Sequence, residues 1–336
     1  MNEPLISVVM PLRNAATTLA ETLDSIQSQT LHNIEVIMVD DFSEDDTRLI
    51  AEKWCNSDQR FRCIQAAHRG LVPALNQGIQ EARSPLIARM DGDDIMLPSR
   101  LEKQWTLLEQ EPSVGVVSCG VRSFSDGEIG EGYRLYDTWL NSLVSHETIY
   151  EARYIESPLA HPTAVVRRSV LESCGGYRDM GWPEDYDLWL RLLESGVRFQ
   201  KVPEVLLHWR DQPQRTSRVN PAYKPESFLY CKVAHLIKGP LSNISSVSVW
   251  GAGHWGGRLG KRLMGAGYTV AFFVDINPRK IGGTRHGAPI VAAENLTPDP
   301  QVPLLVAVGR RGARTLIQES LTAWRFENGR DYLLLA

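Results

Sequence analysis

The stretch "ISVVMPLRNAATTLAETLDSIQSQTLHNIEVIMVDDFSEDDT", Ile6 to Thr47, decides the fold class. Two short β-branched runs within it, "ISVVM" and "IEVIMV", have the composition of strands buried on both faces. Between them Leu19, Leu23 and Ile26 recur at helical spacing, with Thr17 or Thr18 placed to cap the helix start. Further helical patterns fall at Pro73–Ala82 and Pro98–Glu109, separated by another strand-like run, "PLIARM". This alternation predicts a mainly parallel sheet covered by helices. Functional groups then belong at the carboxyl ends of the strands, where loops form a crevice.

The bulk numbers narrow the class. The 336 residues carry 36 Lys and Arg against 40 Asp and Glu, a formal net of −4, so no overall basic signal points to nucleic acid. Cys55, Cys63, Cys119, Cys174 and Cys231 form no C-x-x-C pair and read as reduced thiols, not as a disulfide frame or zinc site. No apolar run approaches the roughly 18–20 residues that span a bilayer. A cytoplasmic protein without integral membrane contact is expected.

"KGPLSN", Lys238 to Asn243, reads as a linker, after which the pattern restarts. "VSVWGAGHWGGRLGKRLMGAGYTVAFFVD" runs strand, glycine loop, helix, strand, acid. Gly251, Gly253 and Gly256 make G-x-G-x-x-G, and Asp275 follows about 20 residues later, the pattern of a Rossmann-like unit. Two domains are therefore expected, residues 1–240 and 241–336. The glycine loop can bind a dinucleotide, which would make the chain an NAD-dependent oxidoreductase. The unit is only half the size of a full dinucleotide fold, which favours a structural or acceptor-docking module instead.

The acids carry the chemistry. In "ARMDGDDIMLP", Ala88 to Pro98, Asp91 and Asp93 lie two apart. If the chain stays extended there, both carboxylates point to one side, and hard anionic oxygens suit Mn2+ or Mg2+. A calcium loop fits poorly, because its fifth and sixth positions would be Ile95 and Met96. An acidic turn capping the next helix through Asp94 or Ser99 fits the spacing equally well. "VDDFSEDDT" puts Asp40 and Asp41 at another strand end, where an open α/β sheet meets a base or ribose, while Asp45 or Asp46 reads as a helix cap. In "GWPEDYDLWLRLLESG", Leu188, Trp189 and Leu192 follow Asp185 by three, four and seven residues. Asp185 thus heads an apolar stripe, as a helix cap or as a working acid/base.

Taken in order, "ISVVMPLRNAATTLAETLDSIQSQT", "VIMVDDFSEDDT", "ALNQGIQEA", "ARMDGDDIMLPSRLEKQ" and "PEDYDLWLRLLESG" resemble a family 2 glycosyltransferase of the GT-A fold, over roughly residues 5–215. The resemblance implies a mixed, mainly parallel sheet and an inverting transfer of one sugar. It implies that Asp91 and Asp93 hold a divalent metal on the donor diphosphate. It also implies that Asp40 and Asp41 flank base and ribose, that Pro11 and Arg13 line the nucleotide pocket, and that Asp185 is the general base. A QxxRW signature of processive relatives is missing, since "DQPQRTSR" has no tryptophan after Arg215. His208, Arg210 and Arg215 follow the strand-like "VPEVLLHWR" and can meet metal, phosphate or acceptor; His161 in "LAHPTAV" reads as a core or loop histidine.

The whole chain also resembles the vertebrate β-1,3-N-acetylglucosaminyltransferase-like family, through "WGAG", "VDINPRKI" and "GRDYLLLA". That resemblance implies UDP-galactose or UDP-N-acetylglucosamine as donor and queuosine in tRNA as acceptor. "VRR", "WRDQPQRTSR" and "GRRGAR" would then be candidate RNA contacts. A saccharide or lipid-linked glycan is the alternative acceptor.

Overall fold

The alternation expected from Ile6 to Thr47 is what the chain forms. A computed structural model describes residues 3–336. β1 (Ile6–Leu12) is followed by α1 (Leu19–Gln27), β2 (Ile34–Asp40), α2 (Thr47–Ser57), β3 (Phe61–Gln65), α3 (Leu71–Glu81) and β4 (Leu86–Arg89). β2 is buried at every position, as its unbroken apolar composition requires. β1 pairs in parallel with β2 and β4, with Leu12 opposite Asp40 and Val9 opposite Arg89. The carboxyl ends of these strands therefore share one edge of the sheet.

After β4 the simple alternation stops. β5 (Ile95–Met96), α4 (Arg100–Gln110), β6 (Val114–Phe124), α5 (Glu131–Ser142) and α6 (His146–Ala152) come next. β7 (Val165–Arg167), α7 (Arg168–Ser173), α8 (Glu184–Glu194) and the long β8 (Arg198–Arg210) complete the sheet, followed by the single turn α9 (Thr216–Val219). The strand order is β3-β2-β1-β4-β7-β6-β8-β5. β7 runs antiparallel to β4 and β6, and β5 antiparallel to β8, so the sheet is mixed, as the family resemblance implied.

The remaining chain builds a second sheet. α10 (Pro225–Lys238), β9 (Ser246–Trp250), α11 (His254–Gly265) and β10 (Thr269–Val274) are followed by β11 (Thr284–Arg285), β12 (Ala288–Val291), β13 (Leu304–Val306), α12 (Ala313–Ala323) and β14 (Tyr332–Leu334). The parallel strands lie in the order β12-β10-β9-β13-β14, the arrangement of a Rossmann-type unit, with β11 added antiparallel at the edge. The glycines of the loop are packing requirements. A Cβ on Gly256 would stand 1.8 Å from the Gly251 carbonyl oxygen, and one on Gly260 would stand 2.6 Å from the Phe273 ring. By contacts the chain divides into Met1–Ile149 with Pro158–Tyr223, and Tyr150–Ser157 with Lys224–Ala336. α10 and the segment Tyr150–Ser157 thus go with the second unit, although the composition break in the sequence comes only after α10.

One buried cation lies in the first unit away from the shared strand edge. Lys201 on β8 is 2% exposed, and its Nζ donates to the Leu140 carbonyl at 2.6 Å. Burial pulls its amine down from 10.5 to about 7. Between those two values the unfolded chain holds a proton that the folded one has lost, so stability must rise with pH across this window. Lys201→Met should flatten the pH dependence of the urea midpoint between pH 7 and 9. An unchanged slope would place the charge elsewhere.

Candidate active site

The acidic stretch does not run extended. The chain turns at Gly92 and Asp93, and this turn brings carboxylate oxygens of Asp91, Asp93 and Asp94 within 4.8 Å of one another. A turn this close to the loop after β1 needs glycine, since a Cβ at Gly92 would meet Leu12 at 2.8 Å and Ala15 at 3.2 Å. Thr18 sits at the helix-cap position of α1, but its hydroxyl donates to the Gly92 carbonyl at 2.9 Å; Thr22 does the same to Asp94 at 2.9 Å. Asp94 is no helix cap either. Its Oδ1 accepts the Arg210 amide at 2.8 Å, while its buried Oδ2 has no hydrogen-bond partner.

The charges in this turn are poorly balanced. Arg89, buried at the end of β4, pairs with Asp91, and Arg210 donates through Nε to the Asp93 carbonyl at 2.7 Å. Gln212 donates to Asp93 Oδ2 at 2.8 Å. Even so, burial and the Asp91 charge push Asp93 up to about 6. Burial, Asp93 and Asp91 push Asp94 well above the usual carboxylate range. A partly buried, mutually repelling carboxylate set, with an orphaned oxygen on its buried member Asp94, fits a divalent cation, for which hard oxygen donors are the natural ligands. His208 is not part of this cluster: it sits opposite Ile95 in the β5–β8 pair, 6.1 Å from the Phe124 ring centre.

Beside the turn lie the loops that follow β1 and β2. Asp41 Oδ1 accepts the Gly70 amide at 2.8 Å, and its Oδ2 lies 3.4 Å from Arg13. Asp40 accepts the Ser43 amide at 3.3 Å. Both acids are nearly fully buried, whereas Pro11 is half-buried and the Arg13 side chain is 48% exposed. Asp40 and Asp41 therefore shape the loop, and Arg13 presents the reachable charge. Asp46 holds the cap position of α2 without a side-chain bond of its own, and Asp45 beside it accepts the Thr47 amide at 3.0 Å.

Asp185 lies in the first turn of α8, half-buried, and its Oδ1 accepts the Tyr186 amide at 2.7 Å. Leu188, Trp189 and Leu192 are fully buried, as their spacing required. Glu184 and Tyr223 beside it escape a sequence reading, while His161 is the core histidine expected. Glu184 is buried, with Oε2 accepting the Tyr223 hydroxyl at 2.5 Å and Oε1 lying 3.5 Å from His161 Nδ1. His161 Nε2 in turn meets the Tyr177 hydroxyl at 2.7 Å. Burial opposes the Glu184 charge, yet His161 and Tyr223 hold its carboxyl below the usual range. Burial and the Arg89 charge keep His161 below its ordinary value. Tyr177 lies within electrostatic reach of Arg89, Glu184 and Asp185, so this buried chain links the acidic turn to the start of α8. The glutamate beside Asp185 and the arginine two before Asp91 were the only local signals for it.

The glycine loop of the second unit has a different character. Asp275 accepts the Asn277 amide at 2.9 Å and pairs with Lys280 at 2.7 Å, so its carboxylate is engaged within its own turn. Gly251 takes a φ of 120° under the Ala307 carbonyl, and Gly253 caps α11.

Asp187, two residues after Asp185, provides the contrast. It is fully buried and accepts from Arg178 at 3.0 and 3.1 Å, from Arg191 at 2.8 Å and from Trp182 at 3.2 Å. Asp187→Ala leaves Arg191 buried without this carboxylate and should cost about 3–5 kcal/mol of stability. Asp185→Asn keeps an acceptor at the helix start and should cost about 1 kcal/mol or less. Urea midpoints of the two variants check this, and equal losses would remove the distinction.

With this geometry the comparisons agree. Residues 7–175 match the model of glycosyl transferase family 2. EpsE of Bacillus subtilis is 33% identical over 246 residues, which is 71% of this chain and 85% of that protein. The amylovoran biosynthesis glycosyltransferase AmsE of Erwinia amylovora is 30% identical over 209 residues, 61% of this chain and 76% of its own length. The crystal structure of S. aureus TarS 1-349 in complex with UDP-GlcNAc covers 70% of this chain and 67% of its own, with a TM-score of 0.54 at 16% identity. That likeness is one of fold, GT-A-like in its large mixed sheet. By the family match and by this degree of identity, the chain belongs to glycosyl transferase family 2.

Proposed function

We propose that the protein is a metal-dependent, inverting transferase that moves one hexose from a UDP-sugar to an acceptor hydroxyl. The observation that carries this reading is the over-charged turn of Asp91, Asp93 and Asp94, with its orphaned buried oxygen, at the same strand edge as the loops after β1 and β2. Asp91, Asp93 and Asp94 would hold Mn2+ or Mg2+. Such an ion, when bound, neutralises charge that builds on a leaving diphosphate. Arg13, braced by Asp41, supplies a cation for the nucleotide end of the donor, and Pro11 and Asp40 fix the loop that carries it. Arg89, Arg210 and Gln212 hold the acids in place.

Asp185 takes the proton from the attacking hydroxyl as its oxygen bonds to the anomeric carbon and the bond to diphosphate breaks. A single displacement of this kind inverts the anomeric centre. The positive end of α8 favours the ionised carboxylate that a base must present. Glu184, bonded to the Tyr223 hydroxyl and lying 3.5 Å from His161, keeps the helix start in register.

For the acceptor, a saccharide or lipid-linked glycan is favoured over queuosine in tRNA. Three of the arginines proposed for RNA are engaged within the protein. Arg167 donates to the Val114 and Leu108 carbonyls, Arg210 serves the acidic turn, and Arg218 pairs with Asp211. The name of AmsE, which refers to amylovoran biosynthesis, points the same way. NAD chemistry in the second unit is disfavoured by the Lys280 pairing of Asp275, the acid a ribose would need.

Two measurements test the reading. With Mn2+ present, a panel of UDP-sugars should yield one donor that releases UDP, and Asp185→Asn should lower turnover by about 10²–10⁴-fold with folding intact. Near-normal turnover in that variant would remove Asp185 as base, and no binding of any nucleotide sugar would sink the transferase reading. Because Asp93 is raised to about 6, protons compete with the cation below that value. Mn2+ affinity should therefore strengthen as pH rises through about 6, with proton release visible by calorimetry in buffers of different ionisation enthalpy. Affinity that does not change with pH would move the metal away from this turn.

A further inference from the structure

We propose that the outer face of α11 docks the protein onto an anionic bilayer surface, an inference that stands apart from the transfer chemistry above. Charge is unevenly divided along the chain. Tyr150–Ser157 and Lys224–Ala336 carry 15 Lys and Arg against 9 Asp and Glu, a net of +6, while the other unit carries 21 against 31, a net of −10. The overall −4 hides this division, and such asymmetry is a footprint of attraction to an anionic partner.

The positive charge has a focus. α11, "HWGGRLGKRLMG", contains no acid. Its inner face, with Gly256, Gly260, Leu259 and Leu263, is buried. Its outer face turns Trp255, Arg258 and Lys261 to solvent, with Arg262 half-buried alongside. Tyr230 of α10 joins them, its ring 3.5 Å from the Arg262 guanidinium carbon, and Arg258 lies 5.8 Å from the Trp255 ring centre. Trp255 and Tyr230 are 39% and 37% exposed. Among the described residues the acid paired with this face is Glu226, 2.8 Å from Arg258.

Cations interleaved with exposed Trp and Tyr are the composition of a surface that rests at the lipid headgroup level. A nucleic acid would use the same charges, but it would also need free aromatic faces on which bases stack. Here Arg262 lies over the Tyr230 ring and Arg258 lies near that of Trp255. The side of a single helix also offers a ridge, not a groove that tracks a strand. No helix among the described residues is long and apolar enough to cross a membrane, so attachment through this face would be peripheral.

Full-length protein should co-sediment with phosphatidylcholine vesicles containing about one third phosphatidylglycerol, and not with phosphatidylcholine alone. Binding should weaken steeply between low and physiological salt, where charges are screened beyond about 8 Å. Each cation near such a surface is worth about fivefold in affinity, so the double variant Lys261→Glu/Arg262→Glu should lose at least about twenty-fivefold. Trp255→Ala should lose severalfold without changing the salt slope, and Glu226→Gln, which frees Arg258, should bind more tightly. Melting temperatures and UDP release in detergent-free buffer should be unchanged in all of them. The gain in Glu226→Gln tests the proposal even if the double variant folds poorly. Equal binding to neutral and anionic vesicles would overturn it. So would vesicle binding indifferent to the double variant, or unfractionated tRNA binding lost in that variant while vesicles are ignored.

Discussion

The first unit is organised around a half-buried repulsion. Three aspartates converge in one turn, and two carboxylates about 4 Å apart at a protein surface repel by roughly 4 kcal/mol. The turn persists because each part of it is held from a different direction. Arg89 reaches Asp91 from β4, Thr18 and Thr22 hold the Gly92 and Asp94 carbonyls from α1, and Arg210 and Gln212 grip Asp93 and Asp94 from the end of β8. Arg210 is itself fixed, paired with Glu21 and lying 4.4 Å from the Phe124 ring centre. This need explains the break in the parallel alternation after β4. The short β5 leaves the turn and pairs antiparallel with β8, which places the end of β8 against the acids.

Much of this was legible in the sequence, and the boundary of legibility has a physical cause. β-branched runs and helical spacing report burial that is local in the chain, so β1, β2, β4 and the stripe of α8 could be read directly. The placement of Asp91 and Asp93 at a strand end followed from the same pattern. The extended conformation assumed between them did not hold, because Gly92 turns the chain under Leu12 and Ala15, a contact with another strand's loop. The alternative of a helix cap through Asp94 or Ser99 could not be set aside from the sequence, because the partner of Asp94, the Arg210 amide, lies 116 residues away. Glu184 and Tyr223 were out of reach for the same reason, their contact joining segments 39 residues apart, whereas His161 is the buried histidine its setting suggested.

The glycine loop shows the opposite error that motif reading invites. G-x-G-x-x-G suggested a phosphate cradle, yet Gly251 and Gly256 are already required by the close approach of α11 to β9 and of β9's loop to the Ala307 carbonyl. The same sequence signature therefore serves architecture before any ligand is considered. Asp275 follows suit, since its charge is matched by Lys280 within its own turn.

A criterion separates the carboxylates that build this protein from those that work in it. Glu35 is buried but matched by Ser7 and Arg83, Asp187 by two arginines and a tryptophan, and Asp275 by Lys280. The carboxyls of Glu35 and Asp275 fall below their usual range, as expected of charges the fold has already compensated. Asp93 and Asp94 move the other way; an oxygen without a hydrogen-bond partner is shared by Asp94 and Glu184, so it is the upward shift that sets the turn apart. A fold that buries an uncompensated charge sacrifices stability, and such sacrifices concentrate where an external charge completes the site. On that ground the turn after β4 is the place that the proposed function assigns to the cation. The better-paired aspartate of the same α8 turn, Asp187, belongs to the framework, although its sequence setting is nearly that of Asp185.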